Sequence, residues 1–232
     1  MSLRKDLLFG VGIVAFFLPF FIFKGLFEAY YQFNLEHGLL MSFIKFFFLA
    51  TLGEVIGLRI KTGSYYYRGF GLLPRAIVWG FLGMTIYMAF AIFSSGTPIL
   101  LEKIGFEDAG ILLQSDLSWG KVVVSFSIST ALNLFYAPVM MTFHKMTDAH
   151  ILEKGGTIRG FFSPMDFSRI LREINWDVQW NFVFKRTIPL FWIPAQTITF
   201  LLPEEYRVLF AAFLGIVLGV LLAVAALKNV ES

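Results

Sequence analysis

Cysteine is absent from the 232-residue chain, and charged residues are few. Without cysteine, disulfides, thiolate nucleophiles and thiolate-bound metal centres are excluded. Charged residues make up 15% of the sequence and hydrophobic residues 57%, whereas soluble proteins average about a quarter charged and about half apolar residues. The mean hydropathy of +0.73 agrees with this bias. The composition therefore indicates a polytopic membrane protein and leaves no room for a soluble catalytic domain.

Motifs of common enzyme sites are also lacking. The sequence contains no G-x-S-x-G nucleophile motif and no glycine-rich phosphate loop. Its three histidines, His37, His144 and His150, are expected in loops or at span ends, without the carboxylate spacing that builds a metal site. The pair Glu204–Glu205 has the wrong spacing for a glutamate-pair intramembrane protease. We therefore expect no enzyme activity, no metal site and no cofactor.

Long apolar runs predict six membrane spans. About 20 apolar residues cross the hydrocarbon core as a helix, and such runs occur at about 7–27, 39–58, 72–93, 122–143, 182–202 and 208–227. Pro19 is expected to kink the first span, and the turn residues 94–98 to end the third. Lys185, Arg186 and two prolines make the fifth span the least regular. The predicted fold is an all-α polytopic transmembrane helix bundle, a single domain over residues 1–232.

The distribution of basic residues predicts the orientation of these spans. With the N-terminus inside, fourteen of the 19 Lys and Arg residues fall on inner flanks, the last being Lys228, and four fall outside. Cytoplasmic loops carry such an excess of Lys and Arg, so both termini are expected inside. Topology also explains the net charge of +3 without nucleic acid as a partner.

The longest polar stretch, residues 144–181, predicts a short surface helix. Ser163, followed by Pro164 and by Asp166, resembles a helix start. The expected apolar face of this helix consists of Phe167, Ile170, Leu171 and Ile174. Arg169 and Arg172 are expected to be available to anionic headgroups.

Polar residues recur on one face of the fourth span. Ser125, Ser129 and Asn133 are four residues apart and therefore stack along one side of a helix. With Pro138, whose missing amide frees a carbonyl, they predict the polar lining of a water-filled crevice. The alternative is that the serines bond to their own helix and Asn133 joins two helices.

The fifth span carries a second pair of polar residues. Gln196 and Thr199 lie on one face, next to Pro189 and Pro194. A discontinuous helix with polar groups at mid-membrane is a common architecture for solute passage. Ordinary packing around a proline gives the same pattern.

Two charges fall inside the second span. Lys45 and Glu54 are nine residues apart, which places them on opposite helix faces about 13 Å apart along the axis. Glu54 is expected to pair with Arg59, Arg75 or Arg186, and the Lys45 side chain to extend outward to the membrane surface.

Near the C-terminus, Arg207 either sets charge preference at an outer mouth or anchors the sixth span. Small residues recur every fourth position after it and also occur in the second span, which is typical of close helix packing. They are Ala211, Gly215, Gly219 and Ala223, with Gly53 and Gly57.

A resemblance to a known family appears in the same region. The order Trp192, Pro194, Gln196, Thr199–Phe200, Pro203, Tyr206–Arg207 resembles the W-P-x-x-Q-x-x-N-F-x-x-x-P-x-x-Y-R signature of the Mpv/peroxisomal membrane protein family. Ile193 separates the tryptophan from the proline, Thr199 replaces the asparagine, and Pro203 comes one residue early. Upstream, residues 132–138 are similar to the family's D-Q-x-x-x-A-P segment, and Gly53–Glu54 to its G-D pair. The resemblance implies channel-like proteins of inner mitochondrial and peroxisomal membranes, usually drawn with four spans.

The sequence thus predicts a channel or pore-like protein for small solutes or ions. The expected lining is Ser125, Ser129, Asn133, Gln196 and Thr199, with Glu54 and Arg207 biasing charge. The alternative is a membrane scaffold that recruits partners or lipids without transport. The expected partners are the lipid bilayer and the solute, and a homo-oligomer is left open. With no Arg-rich transit sequence and an additional N-terminal span, a prokaryotic cytoplasmic membrane is expected, with the inner mitochondrial or peroxisomal membrane as the alternative.

Overall fold

A computed structural model describes the backbone of residues 3–231 and the side chains of residues 3–221, 223 and 224, and most of this part of the chain is helical. No strand occurs in that part, so the predicted all-α class is confirmed. The elements are α1 Leu3–Ile22, α2 Lys24–Glu36, α3 Gly38–Thr62, α4 Leu72–Lys103, α5 Ala109–Gln114, α6 Trp119–Phe135, α7 Ala137–Glu153, α8 Ile158–Phe161, α9 Phe167–Glu173, α10 Trp176–Val178, a π-helical segment Gln179–Trp192, α11 Ile193–Leu201 and α12 Glu204–Glu231. The prediction for Lys228 concerns a side chain outside the described set.

Three of these helices are long and apolar enough to cross a membrane. They are α1, α3 and α4, whose most apolar windows have mean hydropathies of 1.9, 1.9 and 2.0. The pair α6 and α7 meets the same test as one span that bends by 44°. The described residues therefore hold three candidate spans, or four with the bent pair, which is compatible with a membrane protein.

The residues fall into two compact units, Met1–Met41 and Ser42–Ser232. In the first unit the predicted span 7–27 is not one helix. The break lies at Phe23, which has an extended backbone at φ −100° and ψ 98°, where the apolar run meets Lys24 and Gly25. The following residues, expected to form a connection, are helical in α2, where Gln32 Nε2 donates to Glu28 Oε1 over 2.9 Å, one turn back.

In the second unit α4 packs against α5, α6, α7, α8 and α12. The core of this unit includes Phe90 of α4 and Phe200 of α11, whose ring centroids lie 5.1 Å apart. The prediction that residues 94–98 end the third span is wrong, because α4 continues to Lys103 with Pro98 inside it. The apolar residues that follow Pro98 extend the helix, and Gly105, at φ 96°, follows its end.

Close packing of α3 on α12 depends on glycine. A Cβ atom on Gly53 would lie 2.9 Å from the Ile216 Cα atom, a distance that side chains do not tolerate. A Cβ on Gly57 would lie 3.5 Å from the Gly219 carbonyl oxygen. This is the helix packing that the small residues predict.

The polar stretch 144–181 is more ordered than expected. Because α7 runs on to Glu153, His144 lies within a helix rather than at the start of a loop. The predicted surface helix is α9, and Asp166, not Ser163, caps it by accepting the Arg169 N–H over 2.9 Å. Ile170 and Ile174 pack against Met146, whereas Phe167 and Leu171 are exposed.

The basic residue Arg169 on α9 is paired within the protein. Its guanidinium donates to Glu153 over 2.5 Å and to Glu173 over 2.9 Å. These hydrogen bonds raise the pKa of Arg169 above its usual value. Its first partners are therefore protein carboxylates rather than lipid headgroups.

Candidate functional site

A cavity of about 540 Å³ lies in the second unit, between α3, α4, α6, α7, the π-helical segment, α11 and α12. Part of its wall is apolar and includes Phe46, Ile86 and Phe90. The polar part of the wall includes two groups of side chains, which differ in how their hydrogen bonds are satisfied, and also Lys61, Asn133, Tyr136 and Lys145.

The first group is the charged cluster, which consists of Glu54, Arg75, Trp79, His144 and Asp148. Arg75 Nη1 donates to Glu54 Oε2 over 2.8 Å and to Asp148 Oδ1 over 2.6 Å. Trp79 Nε1 donates to Glu54 Oε1 over 2.7 Å. His144 Nε2 lies 3.4 Å from Glu54 Oε1 and 3.9 Å from Asp148 Oδ1. The cluster thus joins α3, α4 and α7 at the cavity wall.

Helix periodicity explains how the charged cluster assembles. Arg75 and Trp79 are one turn apart on α4, and His144 and Asp148 are one turn apart on α7, so each pair lies on one helix face. Arg75 Nε also donates to the Phe70 carbonyl oxygen over 2.8 Å, which fixes its guanidinium. Of the three cations considered for Glu54, the structure places Arg75 against it.

Arg75 alone does not balance the charge of the two carboxylates in the cluster. The charged side chains are only 8–23% exposed. Two carboxylates face one guanidinium, so the cluster carries one excess negative charge when His144 is neutral. Burying uncompensated charge is unfavourable, so this charge favours a nearby cation, and Lys61 and Lys145 line the same cavity.

The second group, the polar face, consists of Gln179, Trp192 and Gln196. Gln179 and Gln196 are 5% and 6% exposed, and all three side chains line the cavity. Gln179 Nε2, Trp192 Nε1 and Gln196 Oε1 are buried without a hydrogen-bond partner. A buried unsatisfied polar atom costs about 1–3 kcal/mol. The polar face therefore places two unpaired donors and one unpaired acceptor on residues of the cavity wall.

The π-helical backbone aligns the polar face. Gln179 and Trp192 are thirteen residues apart, which in an α-helix of 3.6 residues per turn leaves their side chains about 140° apart. A π-helix, with i→i+5 bonds, has about 4.4 residues per turn, so thirteen residues make about three full turns. Both side chains then lie on the same side of the segment. Gln196 follows Trp192 by one turn of α11.

Three of the residues predicted from the sequence line the cavity, namely Glu54, Asn133 and Gln196. Asn133 is 3% exposed, and its Nδ2 donates to the Ser129 carbonyl oxygen over 2.9 Å. Its amide is therefore held on α6 while the residue forms part of the wall.

The remaining predicted residues lie outside this wall. Ser129 Oγ donates to the Ile193 carbonyl oxygen over 2.7 Å, and Thr199 Oγ1 donates to the Ala195 carbonyl oxygen over 3.1 Å. Ser125 is fully buried, and its Oγ has no partner. These three side chains belong to the packing of α6 and α11 rather than to the described lining.

Arg207 is positioned by backbone groups at the start of α12. Its Nε donates to the Leu202 carbonyl oxygen over 3.1 Å, and its guanidinium carbon lies 5.6 Å from the centroid of the Phe200 ring. These contacts resemble the anchoring role expected for Arg207 more than the role of setting charge preference at an outer mouth. Lys45 is 6% exposed, so it is buried rather than extended to the membrane surface.

Sequence reasoning missed the charged cluster except for Glu54 and the possible partner Arg75. The available signal was the spacing of His144 and Asp148, four residues apart, but the fourth span was expected to end at residue 143. The sequence spacing indicates no set of carboxylates around a histidine that builds a metal site, whereas the fold brings two carboxylates to His144. One ligand atom from each of Glu54, His144 and Asp148 lies within 4.8 Å of the others.

The comparisons with known proteins identify no relative. No protein-family model matches the sequence, and no curated protein or solved structure matches the chain. The resemblance to the Mpv/peroxisomal membrane protein family therefore stays a prediction from the sequence motifs.

Proposed function

We propose that this chain is an integral membrane protein that passes small polar solutes through the cavity. The observation that carries the proposal is the polar face. Gln179 Nε2, Trp192 Nε1 and Gln196 Oε1 are buried and unpaired, and their residues line one cavity, the first two from the π-helical segment and Gln196 from α11. π-Helical turns are rare in proteins, and where such turns occur they are often at functional sites.

A solute that enters a membrane protein must exchange its water for protein hydrogen bonds. The polar face supplies two donors and one acceptor for this exchange, and the apolar wall at Phe46, Ile86 and Phe90 accommodates a hydrocarbon portion. The volume of about 540 Å³ lies in the usual range of about 300–1,000 Å³ for small-molecule sites. Small neutral or zwitterionic solutes fit these groups better than bare ions.

The topology that we propose has six spans with both termini inside. The spans are α1, α3, α4, the bent pair α6–α7, the π-helical segment with α11, and α12. The hydropathies of α1, α3, α4 and the bent pair support the first four. The excess of Lys and Arg on the inner flanks supports the orientation.

Reconstitution in liposomes tests solute passage. Vesicle shrinkage and reswelling after mixing with glycerol, urea or glycine, followed by light scattering, reports the permeability to each probe. Gln179→Leu and Gln196→Leu are expected to lower the permeability at least tenfold for a probe that the wild type passes. Thr197→Val is the matched control, because Thr197 Oγ1 donates to the Ile193 carbonyl oxygen of its own helix.

Two outcomes contradict the proposal. One is permeability no greater than that of protein-free liposomes for all three probes, which favours the membrane scaffold. The other is an equal loss in Thr197→Val and Gln196→Leu, which assigns the loss to helix packing. Size-exclusion chromatography of each variant before reconstitution confirms that it is folded.

A further inference from the structure

The charged cluster has a role that solute passage does not require. We propose that Glu54, His144 and Asp148 bind a divalent transition-metal ion in the wall of the cavity. The proposal stands on the positions of three ligand atoms, on the groups that orient them and on the charge of the site.

The geometry is close to that of a coordination sphere. One ligand atom from each of the three side chains lies within 4.8 Å of the other two. The two measured separations are 3.4 Å from His144 Nε2 to Glu54 Oε1 and 3.9 Å from His144 Nε2 to Asp148 Oδ1. Ligands bound at about 2.0–2.2 Å lie roughly 3–4 Å from each other. Small side-chain movements therefore suffice to bring all three atoms onto one ion.

The ligand set indicates the class of ion. One imidazole and two carboxylates suit Mn²⁺, Fe²⁺ or Zn²⁺, whereas Mg²⁺ and Ca²⁺ prefer oxygen ligands alone. Three protein ligands leave coordination positions open, and all three residues line the cavity. Water or an anionic group in the cavity is then available as a further ligand.

Neighbouring residues hold the carboxylates by hydrogen bonds, two of which end on the oxygens nearest His144. Trp79 Nε1 donates to Glu54 Oε1, and Arg75 Nη1 donates to Glu54 Oε2 and to Asp148 Oδ1. Carboxylate ligands of metals are commonly held by such outer hydrogen bonds. One net negative charge remains on the cluster when His144 is neutral, and it favours a cation in competition with Lys61 and Lys145, which line the same cavity.

An independent observation also indicates a ligand in this cavity. Gln179 is 5% exposed and lines the same cavity, and its Nε2 has no partner. An unpaired N–H donor is suited to a water molecule or an anion bound to the metal. The cavity wall thus contains three ligands for a cation and a hydrogen-bond donor suited to a water molecule or an anion bound to that cation.

Metal binding to the full-length chain tests the inference directly. The protein is purified in detergent without an affinity tag, treated with a chelator, and equilibrated with MnCl₂ or ZnCl₂, and bound metal is measured by mass spectrometry. We expect one ion per chain, with affinity lowered at least tenfold in Glu54→Gln, His144→Gln and Asp148→Asn. The controls His37→Gln and Glu153→Gln change the same residue types outside the cluster and should bind as the wild type does.

X-ray absorption of the wild type loaded with Zn²⁺ identifies the ligands of the ion without the use of variants. An imidazole contribution is expected beside oxygen ligands. The inference is overturned if the wild type binds no stoichiometric ion, if the controls lose binding as much as the cluster variants, or if no imidazole is detected. The cluster is then an ion-pair network that joins helices. Metal binding without solute permeability contradicts the proposed function and leaves the metal site intact.

Discussion

Two lines of polar side chains differ in whether their polar atoms have hydrogen-bond partners. One lies on α6, and the other lies on the helix formed by the π-helical segment and α11. On α6, Ser129 donates across to the Ile193 carbonyl oxygen over 2.7 Å, and Asn133 donates to the Ser129 carbonyl oxygen over 2.9 Å. On the second helix, the buried atoms of Gln179, Trp192 and Gln196 have no partner. Ser129 thus joins α6 to the second helix, Asn133 bonds within α6 while it forms part of the cavity wall, and the three residues of the second helix line the cavity with unpaired atoms.

Helix contact explains this difference. The helices α6 and α11 are packed against each other, so a hydroxyl on α6 reaches a backbone carbonyl of its neighbour. Residues of the polar face line a volume of about 540 Å³, and their buried atoms have no hydrogen-bond partner. Nothing in the structure explains why Ser125 Oγ is buried without a partner outside the lining.

The charged cluster should give the largest loss of stability, because its ion pairs are the most costly contacts to break. Arg75→Met leaves Glu54 and Asp148 without their cation and should lower the free energy of unfolding by about 3–5 kcal/mol. The measurement is denaturant unfolding in detergent with a chelator present. Arg207→Met, which removes bonds to backbone carbonyls, is the control. Equal losses in both variants would show that the cluster adds nothing specific.

The next effect concerns the contact of α3 with α12, which contains no polar side chain at its closest point. Gly53→Val places a Cβ atom 2.9 Å from the Ile216 Cα atom, and overpacking of this kind costs about 1–3 kcal/mol. Gly215→Ala is the matched control, because a Cβ atom there meets nothing within 4 Å. Thermal unfolding of the two variants compares them. A Gly53→Val protein as stable as Gly215→Ala would contradict the close packing.

The smallest effect separates the two polar lines themselves. Ser129→Ala removes the bond to the Ile193 carbonyl oxygen and should cost roughly 0.6–1 kcal/mol without changing solute permeability. Gln196→Leu removes an unpaired atom and should leave stability unchanged or slightly raised while permeability falls. Unfolding and liposome assays on the same preparations give both quantities. If Gln196→Leu destabilised the protein more than Ser129→Ala, Gln196 would belong to the helix packing instead.

The apolar runs of the sequence predicted the helical fold class and several of the helices, but little of the candidate site. The all-α class and the long helices follow from the apolar runs, and the small residues four apart in two spans, Gly53 with Gly57 and Gly215 with Gly219, predict close helix packing. The charged cluster depends on α7 continuing past residue 143, which the polar residues after that position concealed. The alignment of Gln179 with Trp192 depends on π-helical turns, for which the sequence has no periodic signal.

Cysteine accessibility across the second helix tests the central claim most directly, since the natural chain contains no cysteine. Single cysteines at Gln179, Val183, Trp192 and Gln196, all of which line the cavity, are compared in liposomes with cysteines at Ser129 and Thr199. A small charged thiol reagent is added to the vesicles. The account predicts rapid reaction at the first four positions and slow reaction at the last two. Similar rates at Gln196 and Thr199, or reaction at only one of Gln179 and Trp192, would contradict a polar face aligned on a water-accessible cavity.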